Sequence, residues 1–537
     1  MSATTTKQAI ATNRLLPLAA IAALMSIGAA QAAAPGITGP TFNLVATPAY
    51  ISQPDGQTVY SWGYGCSAAP SGFAPMPKGA NLPNASCSSM QIPGPTLIVT
   101  EGQTVTVNLT NKLPNAAGNT SILFPGFTLT NPCNGAGVQG LLTCEAPPNG
   151  TITYTFVASS PGTRAYYSGT QGDLQVEMGL YGAIIVLPNN VPAVCTAGLP
   201  VTAPGNNAAA QTNWGESDFR LAASAYDHPK TCYDREYLFQ FSEMDPNVHS
   251  QALAQVTACS APGAPNGCHL NVPTEPYHPA YFMINGRSMP DDMDPNYAMQ
   301  YPHQPYNGNP HMHPGELTLL RIIGQGRWQH PFHEHGNHVR ILARDGNLIL
   351  SQTDNSSLAG PLLFTTTTTP GLAMDGIFYW TGKGLNWDAY GHNPKSGDGL
   401  AKLPCTPDAN GYNTGAPTAV NFWEWCQDHN KPMQAAPFGD VPAGGPVTLP
   451  DPNLFANGPW YGGSPYLGPD ATVRAVGPTG TTPPSGTIAN SPTGEAGFAF
   501  MWHSHNEREI TTNNIFPGGM LMMMLVDSRE FVIDESN

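Results

Sequence analysis

Two short histidine runs carry the chemistry open to this sequence. The first is His330-Pro331-Phe332-His333-Glu334-His335-Gly336, and the second is Trp502-His503-Ser504-His505-Asn506-Glu507. In a strand, residues i and i+2 project from the same face, so each His-x-His pair aims two imidazoles into one space. Imidazole is the commonest protein ligand for transition metals. Glu509 and Gly519-Met520 follow closely. The chemistry indicated is metal binding.

Strands must position these side chains. Val105, Val107 and Leu109 alternate with polar residues, as do Ile152, Tyr154 and Phe156. Leu180 to Val186 is apolar throughout, as a buried strand should be. Charged residues are only 10%, while glycine (57) and proline (55) are abundant, which suits short strands and many turns. The pattern predicts an all-β protein of antiparallel sandwiches. A first domain is expected over 40–190, a linker with Pro and Ala over 191–234, and a second domain over 235–537. His503 lies 168 positions after His335, and Lys431 to Ala496 is largely Pro, Gly, Asn and Thr. A long loop-rich insertion is therefore expected at about 350–495.

Lys7 and Arg14 precede an apolar run from Leu15 to Ile27, and Ala30-Gln31-Ala32 supplies a small-x-small cleavage site. Residues 1–32 read as a secretory signal peptide, which predicts a periplasmic, cell-surface or extracellular location. No later apolar run is long enough to span a bilayer. Ten cysteines, all beyond that segment, read as disulfides in an exported chain, and sequential pairing would close five local loops. With 36 acidic against 20 basic residues, the net charge of −16 offers no basic patch for nucleic acid.

In this order and company, the histidine runs resemble those of the multicopper oxidase family, with laccase-like motifs. His330 to Gly336 is similar to the family's His-Pro-x-His-x-His-Gly segment, and Trp502 to Glu507 to its His-Cys-His tail. The resemblance implies tandem cupredoxin-like Greek-key β-sandwiches. It also implies a type 1 copper held by Cys, two His and often Met, and a three-copper cluster held by four His-x-His pairs. His333, His335, His503 and His505 match the two C-terminal pairs. The N-terminal pairs align with Leu123, Pro125, Tyr167 and Gly169, a register set by Gln175 and Gly179-Leu180-Tyr181-Gly182. Of the type 1 ligands, His330 and Met520 match, Ser504 replaces the cysteine, and Glu509 falls at the second histidine. A serine hydroxyl stays protonated and gives no thiolate to relay electrons. The resemblance thus implies a degenerate member with copper as cofactor, fewer than four ions per chain, and incomplete type 1 and three-copper sites.

Three functions are compatible with these residues. The first is binding of one or two metal ions, with copper preferred. The second is an active oxidase of metal ions or phenols using a rearranged copper centre, with small electron donors and dioxygen as partners. The third is a metal-free structural envelope protein. His311-Met312-His313, which matches no family ligand, the run Met520, Met522, Met523, Met524, and Trp387 to His392 are weaker signals.

Overall fold

A computed structural model of the chain describes residues 34–74, 86–130, 133, 136–196, 220–383, 406–416, 422–427, 463–466, 497–527 and 533. Residues 1–32, Trp387 to His392 and most of 431–496 lie outside them.

Alternation builds the first sandwich. In strand Thr104–Asn111, Val105, Val107 and Leu109 are fully buried, and their sheet order is 58–66, 41–52, 104–111, 151–157. A facing sheet runs 162–167, 181–187, 97–100, 36–38, 73–74. Trp62, Tyr154, Phe156 and Ile184 fill the core between them. Burial of apolar area on this scale is the main stabilising term.

The second sandwich pairs a sheet of order 281–284, 235–244, 317–324, 373–379, 339–344, 347–348 with one of order 311–312, 521–527, 497–504, 331–334, 365–367. Two expectations need correction. The sheets are mixed, not antiparallel: Thr41–Ser52 runs parallel to Thr104–Asn111, and Arg235–Met244 parallel to Leu317–Gly324. Such neighbours are distant in sequence, and long crossovers bring them side by side in one direction. Second, Leu362 to Tyr379, inside the span read as insertion, belongs to the sandwich. Strand Ala373–Tyr379 sits between two neighbours and is buried along six of its seven residues, so it shows no alternation.

One helix was not foreseen. Asp245 accepts the Asn247 N–H as N-cap, Pro246 opens the helix, and it runs Pro246–Cys259. Its Val248 and Ala252 enter the core of the first sandwich. Buried polar groups also join the halves: Thr163 donates to Asp375 at 2.6 Å, and Arg321 pairs with Glu236 at 2.8 Å while reaching Thr163 at 3.1 Å. The disulfides Cys66–Cys87, Cys133–Cys144, Cys195–Cys232 and Cys259–Cys268 join neighbours in sequence, and Cys426 is also disulfide-bonded. No described cysteine is free. Among the described residues no helix is long and apolar enough to cross a membrane.

Candidate metal centre

Strand register brings the two histidine runs together. Pro331–Glu334 pairs antiparallel with Gly497–Ser504, setting Phe332 opposite Ser504, His333 opposite His503, and Glu334 opposite Trp502. Directly opposed residues share a face, and so do their i+2 neighbours. His333, His335, His503 and His505 therefore project from one face. Phe332 and Trp502 project from the other, into the core. The His505 N–H donates to the Pro331 carbonyl at 2.8 Å, extending the pairing past the strand end.

The four rings cluster. Ring centres are 4.8 Å apart for His333 and His335, 4.9 Å for His333 and His505, 5.1 Å for His335 and His503, and 5.6 Å for both His333–His503 and His503–His505. Nε2 of His335 lies 3.2 Å from Nε2 of His503. That spacing serves an imidazole–imidazole hydrogen bond. It also serves two ligands of one ion, because nitrogens about 2.0 Å from a metal at a tetrahedral angle stand about 3.3 Å apart. Among the described residues no group of three or more His, Cys, Asp or Glu already stands in a metal-holding arrangement. The His335–His503 pair is in ligand spacing, with His333 and His505 flanking it.

Outer contacts orient the rings. His503 Nδ1 is 2.7 Å from the Ser504 carbonyl oxygen, which can only accept, so Nδ1 carries the proton and a neutral ring presents the Nε2 lone pair to His335. His333 Nδ1 meets the Thr365 hydroxyl at 2.8 Å. Such anchoring is how proteins fix the tautomer of metal-binding histidines. Burial, then the charges of His335, His503 and His505, pull His333 down to about 4. Burial also lowers His503. His333 thus stays neutral, as a ligand must. His505 is exposed, and Phe364 lies edge-on to His333 with ring centres 5.7 Å apart.

His330 takes a different course. Its Nδ1 is 2.9 Å from Glu509 Oε2 and its Nε2 is 2.9 Å from Glu243 Oε2, all three side chains being buried. Burial alone would lower its pKa, but hydrogen bonds and charge from Glu243 and Glu509 outweigh it and raise it to about 9. The Ser504 hydroxyl donates to Glu509. Met520 is fully buried in the apolar core with Met522 and Met524. The structure thus brings His330 and Glu509 to each other instead of leaving them open to an ion. Sequence reading missed Glu243, 87 positions from His330. The signal was an acid in the aromatic-rich strand stretch Tyr237 to Met244, where an unpaired buried carboxylate would be costly.

His311 and His313 lie elsewhere. Their Nδ1 atoms meet Asp527, one at its carboxylate (2.6 Å) and one at its carbonyl (2.9 Å). Asp527 pairs with Gly497 and Leu521 with His503, so Asp527 is six residues, roughly 20 Å, along the strand from the four rings.

Of the N-terminal positions, Leu123, Tyr167 and Gly169 also meet. Leu123 bridges Tyr167, its N–H donating to the Tyr167 carbonyl at 2.7 Å, and a Cβ on Gly169 would lie 2.8 Å from Leu123 Cγ. Leu123, Tyr167 and Gly169 line a cleft of ≈ 270 Å³ with Gln325, Gly326 and Gly371.

The chain is thus an all-β protein of two packed sandwiches with a histidine-lined strand face. A multicopper oxidase family profile matches residues 83–191 of the chain. The matched stretch contains Leu123, Pro125, Tyr167 and Gly169. An L-ascorbate oxidase of Brassica rapa subsp. pekinensis is 38% identical over 96 residues, 18% of this chain and 16% of that protein. Copper resistance protein A of Escherichia coli is 40% identical over 95 residues, 18% of this chain and 14% of that protein. The matched stretch thus spans less than a fifth of these relatives. Among solved structures, a multicopper oxidase mgLAC covers 92% of this chain and 87% of its own at 14% identity and a TM-score of 0.42. A blue copper oxidase from Nitrosomonas europaea covers 90% and 85% at 14% identity and a TM-score of 0.41.

Proposed function

We propose that this chain is an exported copper-binding protein in which His333, His335, His503 and His505 hold one or two ions. The carrying observation is the four-ring cluster on one strand face, with its 3.2 Å Nε2–Nε2 pair. The donor set fits copper: several imidazoles, one kept neutral to about pH 4, two with Nδ1 anchored on oxygen. Copper bound there would supply one-electron redox chemistry and a place for dioxygen. His503 presents its Nε2 lone pair, Thr365 and the Ser504 carbonyl hold rings in place, and Phe364 walls the mouth. Leu123, Tyr167 and Gly169 supply no imidazole, which limits the ion count. Export is supported by residues 1–32 and by disulfides that persist in an oxidising compartment.

The test is element analysis of protein produced with copper, alongside oxygen uptake with phenols and metal ions as donors. One or two coppers per chain are expected. Metal-free protein under those conditions would favour the envelope role, and steady oxygen uptake the oxidase.

A further inference from the structure

The pocket that the resemblance assigns to a type 1 copper does not fit one. Each ring nitrogen of His330 faces a carboxylate oxygen at 2.9 Å. Carboxylate oxygens accept, so both nitrogens carry hydrogen and neither keeps a lone pair for an ion. The carboxylates are engaged in turn. Glu243 Oε1 accepts the N–H groups of Arg327 (2.7 Å) and Trp328 (2.9 Å). Glu509 accepts the Ser504 hydroxyl and, at 3.0 Å, the Asn506 amide.

We infer that Glu243, His330 and Glu509 form a metal-free clasp that positions the His503–His505 strand end against the His333–His335 strand. His330 directly precedes Pro331, whose carbonyl accepts the His505 N–H, and Ser504 lies between His503 and His505. Glu509 grips both runs at once, through His330 on one and Ser504 on the other. Glu243 adds the facing sheet, since it lies on strand Arg235–Met244. Tyr277 extends the contact to the first sandwich, its hydroxyl donating to Glu177 at 2.6 Å and lying 3.4 Å from Glu243. Contacts this buried are strong when complete and costly when one partner is lost. The triad thus fills the space of the lost copper and holds the four imidazoles in register.

This inference rests on the four-imidazole reading, and its test separates the two. Ser504→Cys supplies the missing sulfur while leaving all three clasp residues in place. Loaded with copper, it should show no intense thiolate-to-copper visible band, because His330 has no lone pair to offer; such a band would overturn the clasp. Glu509→Gln keeps the shape but weakens the pairing, and should lower copper affinity of the cluster by about 10-fold or more. Unchanged affinity would refute the positioning role. If neither protein takes up copper, the proposed function fails, and the clasp is read separately by ¹⁵N spectra of metal-free protein at neutral pH. His330 should show both ring nitrogens protonated, a signal absent from His330→Gln; a ring with one proton would overturn the clasp.

Discussion

His335 and His503 hold their Nε2 atoms 3.2 Å apart although 168 positions separate them in the chain. Strand pairing produces this contact. His333 stands directly opposite His503, which puts His335 one diagonal step away on the same face. A slip of one residue would turn half the rings to the other face.

The support beneath the rings should matter as much as the rings. Trp502 is fully buried and its Nε1–H donates to the His335 carbonyl at 2.9 Å. Trp502→Phe keeps an aromatic ring but removes that donor. It should cost about 1–3 kcal/mol in urea unfolding and also weaken copper binding. An unaltered midpoint with unaltered binding would show that the carbonyl contact does not set His335.

Stability of the metal-free protein should fall on the alkaline side. An unfolded histidine titrates near 6.5, whereas folded His330 is raised to about 9. The folded state holds the extra proton between these values. The stabilisation is therefore complete below about 6.5 and lost as pH rises through about 9. Melting temperature should drop over that window, and His330→Gln should flatten the drop. A melting temperature of the unmodified protein that holds steady across it would contradict the pairing.

Reduction should destabilise the chain. Loss of a native disulfide typically costs about 2–5 kcal/mol in small secreted domains, and four such bonds brace the described residues. Mass spectrometry of the unreduced protein should find no free thiol. Melting that is indifferent to reductant would mean the cores suffice without them.

Strands with one wet face were legible in the sequence. Val105, Val107 and Leu109 announce theirs by alternation, and the His-x-His spacing announces a shared face. Strand direction was not legible, because parallel neighbours such as Thr41–Ser52 and Thr104–Asn111 are joined by chain distance, not by local pattern. Ala373–Tyr379 was hidden because burial on both sides erases alternation. The helix Pro246–Cys259 carried a readable Asp-Pro start but only a weak apolar stripe. At the site, the four clustered histidines came from the family resemblance together with His-x-His spacing, and His330 from the resemblance alone. Its pairing with Glu243 could not be read, since that contact depends on how one sheet faces the other.

The most direct measurement is copper titration of the apo-protein beside His335→Ala and His503→Ala. The unmodified chain should bind one or two ions, and each variant should lose that same binding, since each removes one nitrogen of the 3.2 Å pair. His311→Ala and His313→Ala should bind as the unmodified chain does, because their rings face Asp527. If His335→Ala and His503→Ala bind copper as tightly and in the same amount as the unmodified chain, the four-imidazole cluster is not the metal site.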